Sequence, residues 1–241
     1  MRAGLAGGTV TRPVVVATTL AAFVMDQPDT WQAWLRNHQA IKASHPDVRY
    51  FAALELDARG LAPFAPLLAE MEAAGAERWT FHLDDGRTTV TTENRLRHIT
   101  MGQNLATDFS VSCGASHMLF LAADLEPPPD ALPKLLEVDH PLVGGEVPTY
   151  CLSGPDVGGF GFPVQRHMPT AAFVLVARSV FNVLRWRADG EAGMSDDPCY
   201  HHDARTLLGV DALVRKDCVG VHHPIRIGPV ETRGHDMAVH R

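Results

Sequence analysis

The stretch HMLFLAADLEPPPDALPKLL, residues 117–136, is an apolar run that ends abruptly in two acids and three consecutive prolines. HMLFLAAD has the length of a buried strand. Asp124 and Glu126 stand at alternate positions, so in an extended segment they point the same way and can hold a divalent cation bound to a diphosphate. The prolines exclude a helix until Asp130, which is expected to cap the helix ALPKLLEV. Without further context, acids at a strand end are more often solvated loop residues.

The segments before residue 117 alternate between strand-like and helical patterns. Strand-like runs lie at 13–20, 48–57 and 78–83, the first of them continuously apolar, and helical periods lie at 29–41, 61–75 and 93–114. Asp29 is the expected N-cap of the first helix, and Gly75 is the expected end of the second. Three strand–helix units followed by a fourth strand predict an α/β fold with a mostly parallel sheet, right-handed crossovers and helices on both faces. The third helix is expected to bury a broad face formed by Leu96, Ile99, Leu105, Phe109 and Ser112.

The composition is typical of a soluble globular protein with one domain. The chain has 241 residues, of which 46% are hydrophobic and 20% are charged. A net charge of -7 and a pI near 6.0 supply no basic field for phosphate backbones, so nucleic acid is not the first expected partner. The four cysteines form no CxxC pair, which fits a reducing cytoplasm. The apolar run 14–25 is shorter than the roughly 20 residues of a membrane span and follows Pro13, so it is expected to be a buried strand rather than a secretory signal.

Several segments together resemble one enzyme family. LFLAADLEPPPDALPKLL is similar to the DXD segment of GT-A-fold glycosyltransferases, especially of the inverting family 2 type, in which an apolar strand ends in Asp-x-Asp before a proline run and a short helix. Further matches are TAAFVLVARSVFNVLRW (170–186), MSDDPCYHHDARTLLG (194–209) and VRKDCVGVHHP (214–224). They resemble the family's acceptor-side strand, its acidic pair opening a helix, and its late strand that closes on a histidine.

The resemblance implies one GT-A-like (Rossmann-like) domain over residues 1–241, with a mostly parallel central sheet flanked by helices and a small acceptor-side lobe. Residues 13–126 would form the nucleotide-sugar-binding half, residues 127–224 the acceptor and catalytic half, and residues 225–241 a C-terminal tail. The implied activity is that of a glycosyltransferase, for which the cysteine pattern favours a cytoplasmic location. It would move a hexosyl or related sugar from a nucleotide-diphosphate sugar, with a UDP-sugar as the expected donor, to an acceptor hydroxyl with inversion.

The metal motif departs from the family pattern at one place. Where the first aspartate of DXD would stand, the chain has Ala122, so the motif is Ala122-Ala123-Asp124. The resemblance implies that Asp124 is the direct ligand of Mn²⁺ or Mg²⁺, and that Ala123 and Asp124 border the donor. Glu126 either compensates for the missing charge or faces solvent. The alternation of side chains along a strand permits the first outcome, and a proline-directed turn permits the second.

The chain has 13 histidines, and the pairs His201-His202 and His222-His223 are candidates for a zinc site. Adjacent histidines point apart on a strand and lie about 100° apart on a helix, so neither pair is a ready chelate. The resemblance singles out the second pair, because a histidine just beyond the late strand often completes the metal site in the family. His223 is the expected ligand, with His222 as the alternative.

Asp196 and Asp197 carry the chemical step that the resemblance implies. An inverting transfer needs a base that deprotonates the acceptor hydroxyl while its oxygen attacks the anomeric carbon opposite the leaving group. Asp197 matches this base, and Asp196 beside it belongs to the same acidic pair, in which each carboxylate opposes the ionisation of the other. The residue types alone also fit a simpler role, in which Ser195, Asp196 and Asp197 only cap a helix.

The expected donor pocket lies at the ends of the first two strands and on the third helix. Thr18 and Thr19 close the first strand and Asp57 follows the second, and by analogy with the family these positions border the base and the ribose. Arg97 is expected to meet the base or the diphosphate. Asn104 belongs to the helix that precedes the metal motif in the matched region.

Two further segments and two rival functions bear on this prediction. The turn HLDDG (82–86) is explained by a tight Asp-Gly turn, and the Gly- and Pro-rich segment 144–169 either covers substrates or is an ordinary surface connection. A nucleotidyltransferase should have a basic, Gly-rich phosphate loop near its first strand, and TTLAAFVMDQPD (18–29) has no lysine, arginine or glycine. A non-catalytic binding module leaves Asp197 and the late histidine unexplained. The expected acceptor is a glycan, a protein side chain, a small metabolite or, as a secondary choice, a modified DNA base.

Overall fold

The structure of the chain is a computed structural model that describes residues 12–82, 92–147, 169–170, 172–188 and 196–222. These residues form a seven-stranded sheet with helices on both faces and a separate two-stranded sheet. None of the helices in the described ranges is long and apolar enough to cross a membrane.

The first four strands form the parallel half of the large sheet. They are β1 (Val14–Leu20), β2 (Val48–Glu55), β3 (Ala76–Phe81) and β4 (His117–Leu121). β1 pairs in parallel with β2 and β4, and β2 pairs in parallel with β3. The helices between them are α1 (Ala22–Met25), α2 (Pro28–Ser44), a 3-10 turn (Ala62–Phe64), α3 (Ala65–Ala73) and α4 (Thr92–Ser112). The predicted strand–helix alternation is confirmed.

The second half of the sheet contains one antiparallel strand. Its elements are β5 (Leu125–Glu126), α5 (Ala131–Leu136), β6 (Leu142–Glu146), β7 (Phe173–Ala177), α6 (Arg178–Phe181), α7 (Asp196–Leu208), β8 (Leu213–Val219) and β9 (Val221–His222). β7 lies antiparallel between β4 and β6, and β6 pairs in parallel with β8. The strand order is β3-β2-β1-β4-β7-β6-β8, and four of its six neighbouring pairs are parallel. The predicted mostly parallel sheet is confirmed.

Alternate residues of β1 face two separate cores. Val14 and Val16 pack in the core that α2 and α3 cover, whereas Val15 and Ala17 pack in the core that α4 and α7 cover. Successive side chains of a strand point to opposite faces, so a strand covered on both sides must be apolar throughout. This explains the continuous apolar runs in the sequence.

One predicted helix cap is wrong, a second is confirmed in position only, and one predicted helix end is confirmed. α2 begins at Pro28 with Gln27 as its N-cap, because proline is suited to the first helical position, and Asp29 lies inside the first turn. Asp130 is the N-cap of α5 but makes no capping hydrogen bond. Its carboxylate instead lies 2.9 Å from the ammonium of Lys134, four residues later. Gly75 follows the end of α3 with φ of +69°, the left-handed conformation that favours glycine.

The buried face of α4 differs from the predicted one. Ser112 is exposed, and Leu96, Ile99 and Leu105 are only partly buried. The fully buried positions are Gly102, Gln103, Ala106, Thr107, Phe109 and Ser110. The physical reason is close packing of α4 on β1, since a Cβ atom added at Gly102 would lie 2.3 Å from Thr19 Oγ1. Small and polar residues therefore occupy the contact that the sequence pattern assigned to large apolar ones.

Candidate active site

The acidic segment forms a tight turn at the end of β4. The Ala122 N–H donates to the carbonyl oxygen of Ala172 at 2.9 Å, and the Leu125 N–H donates back to the carbonyl oxygen of Ala122 at 3.1 Å. Asp124 is half-buried within this turn, and Glu126 is exposed. In an open α/β sheet, ligands bind beyond the carboxyl ends of the parallel strands. β4 is such a strand, so Asp124 lies at the edge where a ligand is expected.

The acidic segment pairs with the late strand that carries the predicted histidine. Leu125 is paired with His222 and Glu126 with Val221 in the antiparallel β5–β9 sheet. The two segments predicted to hold the metal are therefore neighbours, although Glu126 and His222 lie 96 positions apart in the chain. His223 itself lies outside the described residues.

The strand pair is held close to the rest of the domain. Gly220 packs against Leu125, since an added Cβ would lie 3.0 Å from Leu125 Cδ1. The Gly220 N–H donates to the carbonyl oxygen of Glu146 at 2.8 Å, which connects β9 to the end of β6. Asn37 Nδ2 of α2 donates to the carbonyl oxygen of Leu125 at 3.3 Å. The acidic turn is thus supported from α2, β6 and β9.

A complete metal-binding set is not assembled by the described residues alone. Within the described ranges, no three histidine, cysteine, aspartate or glutamate side chains come together as a metal site. The carboxylates of Asp124 and Glu126 are oxygen donors of the kind that Mn²⁺ and Mg²⁺ bind. The fit of a metal therefore depends on a further ligand, and the assignment of His223 or His222 stays a prediction.

Thr18 and Thr19 follow each other near the end of β1 and so face opposite sides of the sheet. Thr18 is fully buried, and Thr19 packs against Gly102 of α4. Neither hydroxyl has a hydrogen-bond partner within the described residues. The two threonines therefore have different surroundings, and their predicted contacts with the donor stay predictions.

Asp57 lies in the turn after β2 and is engaged by Arg59, which the sequence analysis did not single out. The Arg59 backbone N–H donates to Asp57 Oδ1 at 2.9 Å, and Arg59 Nε donates to Asp57 Oδ2 at 2.9 Å. The other side of the guanidinium donates to the two oxygens of Asp26 at 2.9 and 2.7 Å. The hydrogen bond from Arg59 lowers the pKa of Asp57. Asp57 is therefore an ionised acceptor with a neighbouring cation, a pairing suited to an anionic or hydroxyl-bearing ligand.

Further contacts lie where α4 meets the carboxyl edge of the sheet. His98 Nδ1 contacts Glu55 Oε1 at the end of β2. Arg97, the residue before it, is exposed. Asn104 binds the backbone of Trp186 twice, since its Nδ2 donates to the Trp186 carbonyl at 2.8 Å and its Oδ1 accepts from the Trp186 N–H at 2.8 Å. Asn104 thus has a structural role, and its predicted role in donor binding stays untested.

The predicted catalytic pair opens α7, and its two members differ in burial. Asp196 is only 8% exposed, and its Oδ2 accepts a hydrogen bond of 2.7 Å from Nε2 of the buried Gln103. Asp197 is half-buried in the same first turn. Ser195, the third member of the alternative capping role, lies outside the described residues. The partly open carboxylate of the pair is therefore Asp197.

α7 is also attached to the domain beyond its first turn. The Tyr200 ring stacks on the Trp186 ring with centroids 3.9 Å apart. His201 Nε2 lies 2.6 Å from the carbonyl oxygen of Pro169. Burial lowers the pKa of His201, so the ring is neutral and donates the Nε2 proton. His201 is thus a core residue, and Asp203 on the outer side pairs with Arg187 at 2.8 Å.

No protein-family model and no curated protein matches the chain by sequence. Among solved structures, the chain is similar to the mannosyltransferase PcManGT from Pyrobaculum calidifontis, solved in complex with GDP-Man and Mn²⁺. The TM-score is 0.58 and the identity 14%, over 90% of this chain and 59% of that one. A second similarity, to the galactosyltransferase LgtC in complex with donor and acceptor sugar analogues, has a TM-score of 0.39 and 16% identity, over 68% of this chain and 57% of that one. The chain thus spans less than two thirds of either protein, and it has a GT-A-like fold with a mostly parallel sheet flanked by helices.

Proposed function

We propose that the protein is a glycosyltransferase that moves a sugar from a nucleotide-diphosphate sugar to an acceptor hydroxyl with inversion of configuration. The observation that carries the proposal is the pairing of β5, which follows the acidic turn after β4, with the late strand β9, in which Leu125 lies opposite His222 and Glu126 lies opposite Val221. The similarity in fold to a mannosyltransferase that binds GDP-Man and Mn²⁺ supports the same class of donor.

The proposed donor site extends over the ends of β1, β2 and β4. Arg59 and Asp57 after β2 offer a cation and a carboxylate to the nucleotide, and the acidic turn after β4 faces the diphosphate. Asp124 is the proposed metal ligand, together with His223 or, alternatively, His222, and Glu126 is a further carboxylate two residues after Asp124. A bound Mn²⁺ or Mg²⁺ would neutralise the negative charge of the leaving diphosphate.

Asp197 is the proposed general base, and it acts on the acceptor. Its carboxylate accepts the proton of the acceptor hydroxyl while the hydroxyl oxygen forms a bond to the anomeric carbon. The bond between the anomeric carbon and the diphosphate oxygen breaks, and its electron pair leaves with the nucleoside diphosphate. Attack from the opposite face inverts the anomeric configuration. The partial exposure of Asp197, beside the more buried Asp196, supports this division of roles.

The base is tested by Asp197→Asn. Asparagine matches aspartate in size, and the loss of one negative charge from the first turn of α7 costs at most about 1 kcal/mol, so the melting temperature should change little. Loss of general-base assistance should lower kcat by about 100- to 10,000-fold with donor affinity nearly unchanged. The matched control is Asp211→Asn, because Asp211 is an exposed carboxylate just beyond α7 that pairs with Arg205.

Two further measurements test the stereochemistry of the transfer and the identity of the donor. NMR of the product should show an anomeric configuration opposite to that of the donor, and retention would remove Asp197 from the role of inverting base. Nucleotides and nucleotide sugars with uracil, guanine or cytosine bases can be screened by thermal stabilisation with and without Mn²⁺. A ligand at about 100 times its Kd adds roughly 2.7 kcal/mol to the stability. If none of these nucleotides stabilises the protein, the donor assignment is wrong.

A further inference from the structure

Two consecutive amide side chains of α4 hold the segment that leads into α7. Gln103 donates to Asp196 at 2.7 Å, and Asn104 forms two 2.8 Å hydrogen bonds with the backbone of Trp186. The chain between these anchors, residues 187–195, connects Trp186 to the first turn of α7. α4 therefore binds Trp186 and the first residue of the helix that carries Asp197.

A buried glutamine at position 103 is energetically unfavourable if its only role is to fill space. The side chain is completely buried, yet its Oε1 has no hydrogen-bond partner within the described residues. A buried polar atom without a partner is unfavourable, so an apolar side chain of similar size would serve packing better. The one hydrogen bond that the side chain is seen to donate goes to Asp196, which points to a role in placing that carboxylate.

The position of Gln103 links the two sides of the proposed site. Gly102, its neighbour, packs against Thr19 near the end of β1. Asp196, on the other side, precedes Asp197 directly. The same turn of α4 thus contacts the strand end that borders the proposed donor and the acidic pair that faces the proposed acceptor.

We propose that Gln103 is a positioning residue for the sugar transfer, which holds Asp196 so that the carboxylate of Asp197 is directed at the acceptor hydroxyl. This inference rests on the proposed function. Other contacts keep α7 attached, namely the stacking of Tyr200 on Trp186 and the contact of His201 with Pro169. The hydrogen bond from Gln103 instead acts on the first residue of the helix, next to the proposed base.

The first test is Gln103→Leu, which removes the donor and the buried carbonyl together. A misplaced base should lower kcat by about 10- to 100-fold, since a displacement of about 1 Å can cost that much. The KM for the donor should stay within about twofold, because the base acts on the acceptor. Ser110→Ala is the matched control. Ser110 is also buried on α4, but its hydroxyl donates to the Ala106 carbonyl at 2.8 Å and not to Asp196. This variant should keep kcat within about twofold even where its melting temperature falls.

The second test is Gln103→Glu, which keeps the size of the side chain and makes its hydrogen bond dependent on protonation. When the introduced carboxyl group is protonated, it can donate to Asp196 as the amide does, whereas the ionised carboxylate repels Asp196. The ratio of the kcat of this variant to that of the unaltered protein should therefore rise as the pH falls. A purely structural role predicts that the ratio follows the folded fraction, measured by circular dichroism at each pH.

The outcomes distinguish the inference from the proposed function. If the unaltered protein transfers sugar and Gln103→Leu has the same kcat per folded molecule, the positioning role is wrong and the function stands. A rise in the donor KM at unchanged kcat would also refute the positioning role. If the unaltered protein transfers sugar from no nucleotide donor, both are refuted. Should Gln103→Leu fail to fold, the pH-dependent ratio of Gln103→Glu decides alone, and a ratio that does not change with pH overturns the inference.

Discussion

Acidification should destabilise the protein through His38, a histidine in the core between α2 and β2. Its ring centroid lies 4.1 Å from that of Trp34 and 4.2 Å from that of Tyr50. Neither ring nitrogen has a hydrogen-bond partner within the described residues. Burial lowers the pKa of His38 to about 3, because a charged ring would lose its hydration without gaining an acceptor.

The size of the effect follows from the difference between the folded and the unfolded pKa of His38. In the unfolded chain the pKa is about 6.5, so below that pH the unfolded chain binds a proton that the folded protein does not bind until about pH 3. The folded protein therefore keeps its full stability above the unfolded pKa of His38, and it loses stability as the pH falls below that value. A pH of about 5 lies about 1.5 pH units below the unfolded pKa, and each unit costs about 1.36 kcal/mol. The free energy of unfolding is therefore lower by about 2 kcal/mol at that pH. For a chain of this length that corresponds to a melting temperature lower by about 4–8 °C.

The assay is urea unfolding at about pH 7.5 and about pH 5, with the free energy of unfolding extrapolated to water. His38→Leu replaces the imidazole ring with an apolar side chain of similar volume and so removes the titrating group. The loss of stability between the two pH values should therefore be about 2 kcal/mol smaller in this variant. Burial also lowers the pKa of His201 and of His117, so some acid sensitivity should remain.

The control is His202→Gln, because His202 is exposed on α7. This variant should lose as much stability on acidification as the unaltered protein. The reasoning is refuted if His38→Leu loses the same free energy between the two pH values as the unaltered protein does. That result would mean that the buried ring accepts a proton in the folded state.

Three further predictions concern the site and its support. Gly102→Ala should cost about 1–3 kcal/mol in urea unfolding, because the new methyl group would clash with Thr19, and Thr19→Ala in the same chain should restore most of the loss. Asp124→Asn should leave the free energy of unfolding nearly unchanged but weaken Mn²⁺-dependent nucleotide binding at least about tenfold by calorimetry, and unchanged affinity together with unchanged activity would remove the metal role. His223→Ala should raise the Mn²⁺ concentration needed for half-maximal activity more than His202→Ala does, and equal effects would mean that the late strand was misinterpreted.

The fold was largely predictable because its periodic signals are local. Runs such as 14–17 and 50–54 are apolar throughout, as the centres of strands covered on both faces must be. The place of β7 was not predictable in the same way. FVLVA is equally apolar read in either direction, so the sequence does not state which strand it joins or whether the pairing is antiparallel. Those choices depend on contacts between distant segments.

The candidate site was predictable only where its residues lie in recognisable segments. The acidic turn and the late strand were identified separately, and the structure brings them together through β5 and β9. Gln103 was missed because its partner, Asp196, lies 93 residues later. One signal was present, since Gly102, Ala106 and Ser110 recur every four residues and mark a helix face on which another element can pack closely. Arg59 was missed because an arginine in a surface turn has no pattern that names its partners.

The insertion of β7 between β4 and β6 has a consequence for how the chain assembles as it leaves the ribosome. β6 precedes β7 in the chain but is joined to the first four strands through β7. Until residues 173–177 have emerged, β4 has an open edge of apolar residues, and such an edge pairs readily with strands of other chains. The acidic turn after β4 also lacks the carbonyl of Ala172 that its Ala122 N–H binds. The edge of the proposed ligand site is therefore completed late in synthesis, and a pause between residues 147 and 173 would expose the nascent chain to aggregation before that edge exists.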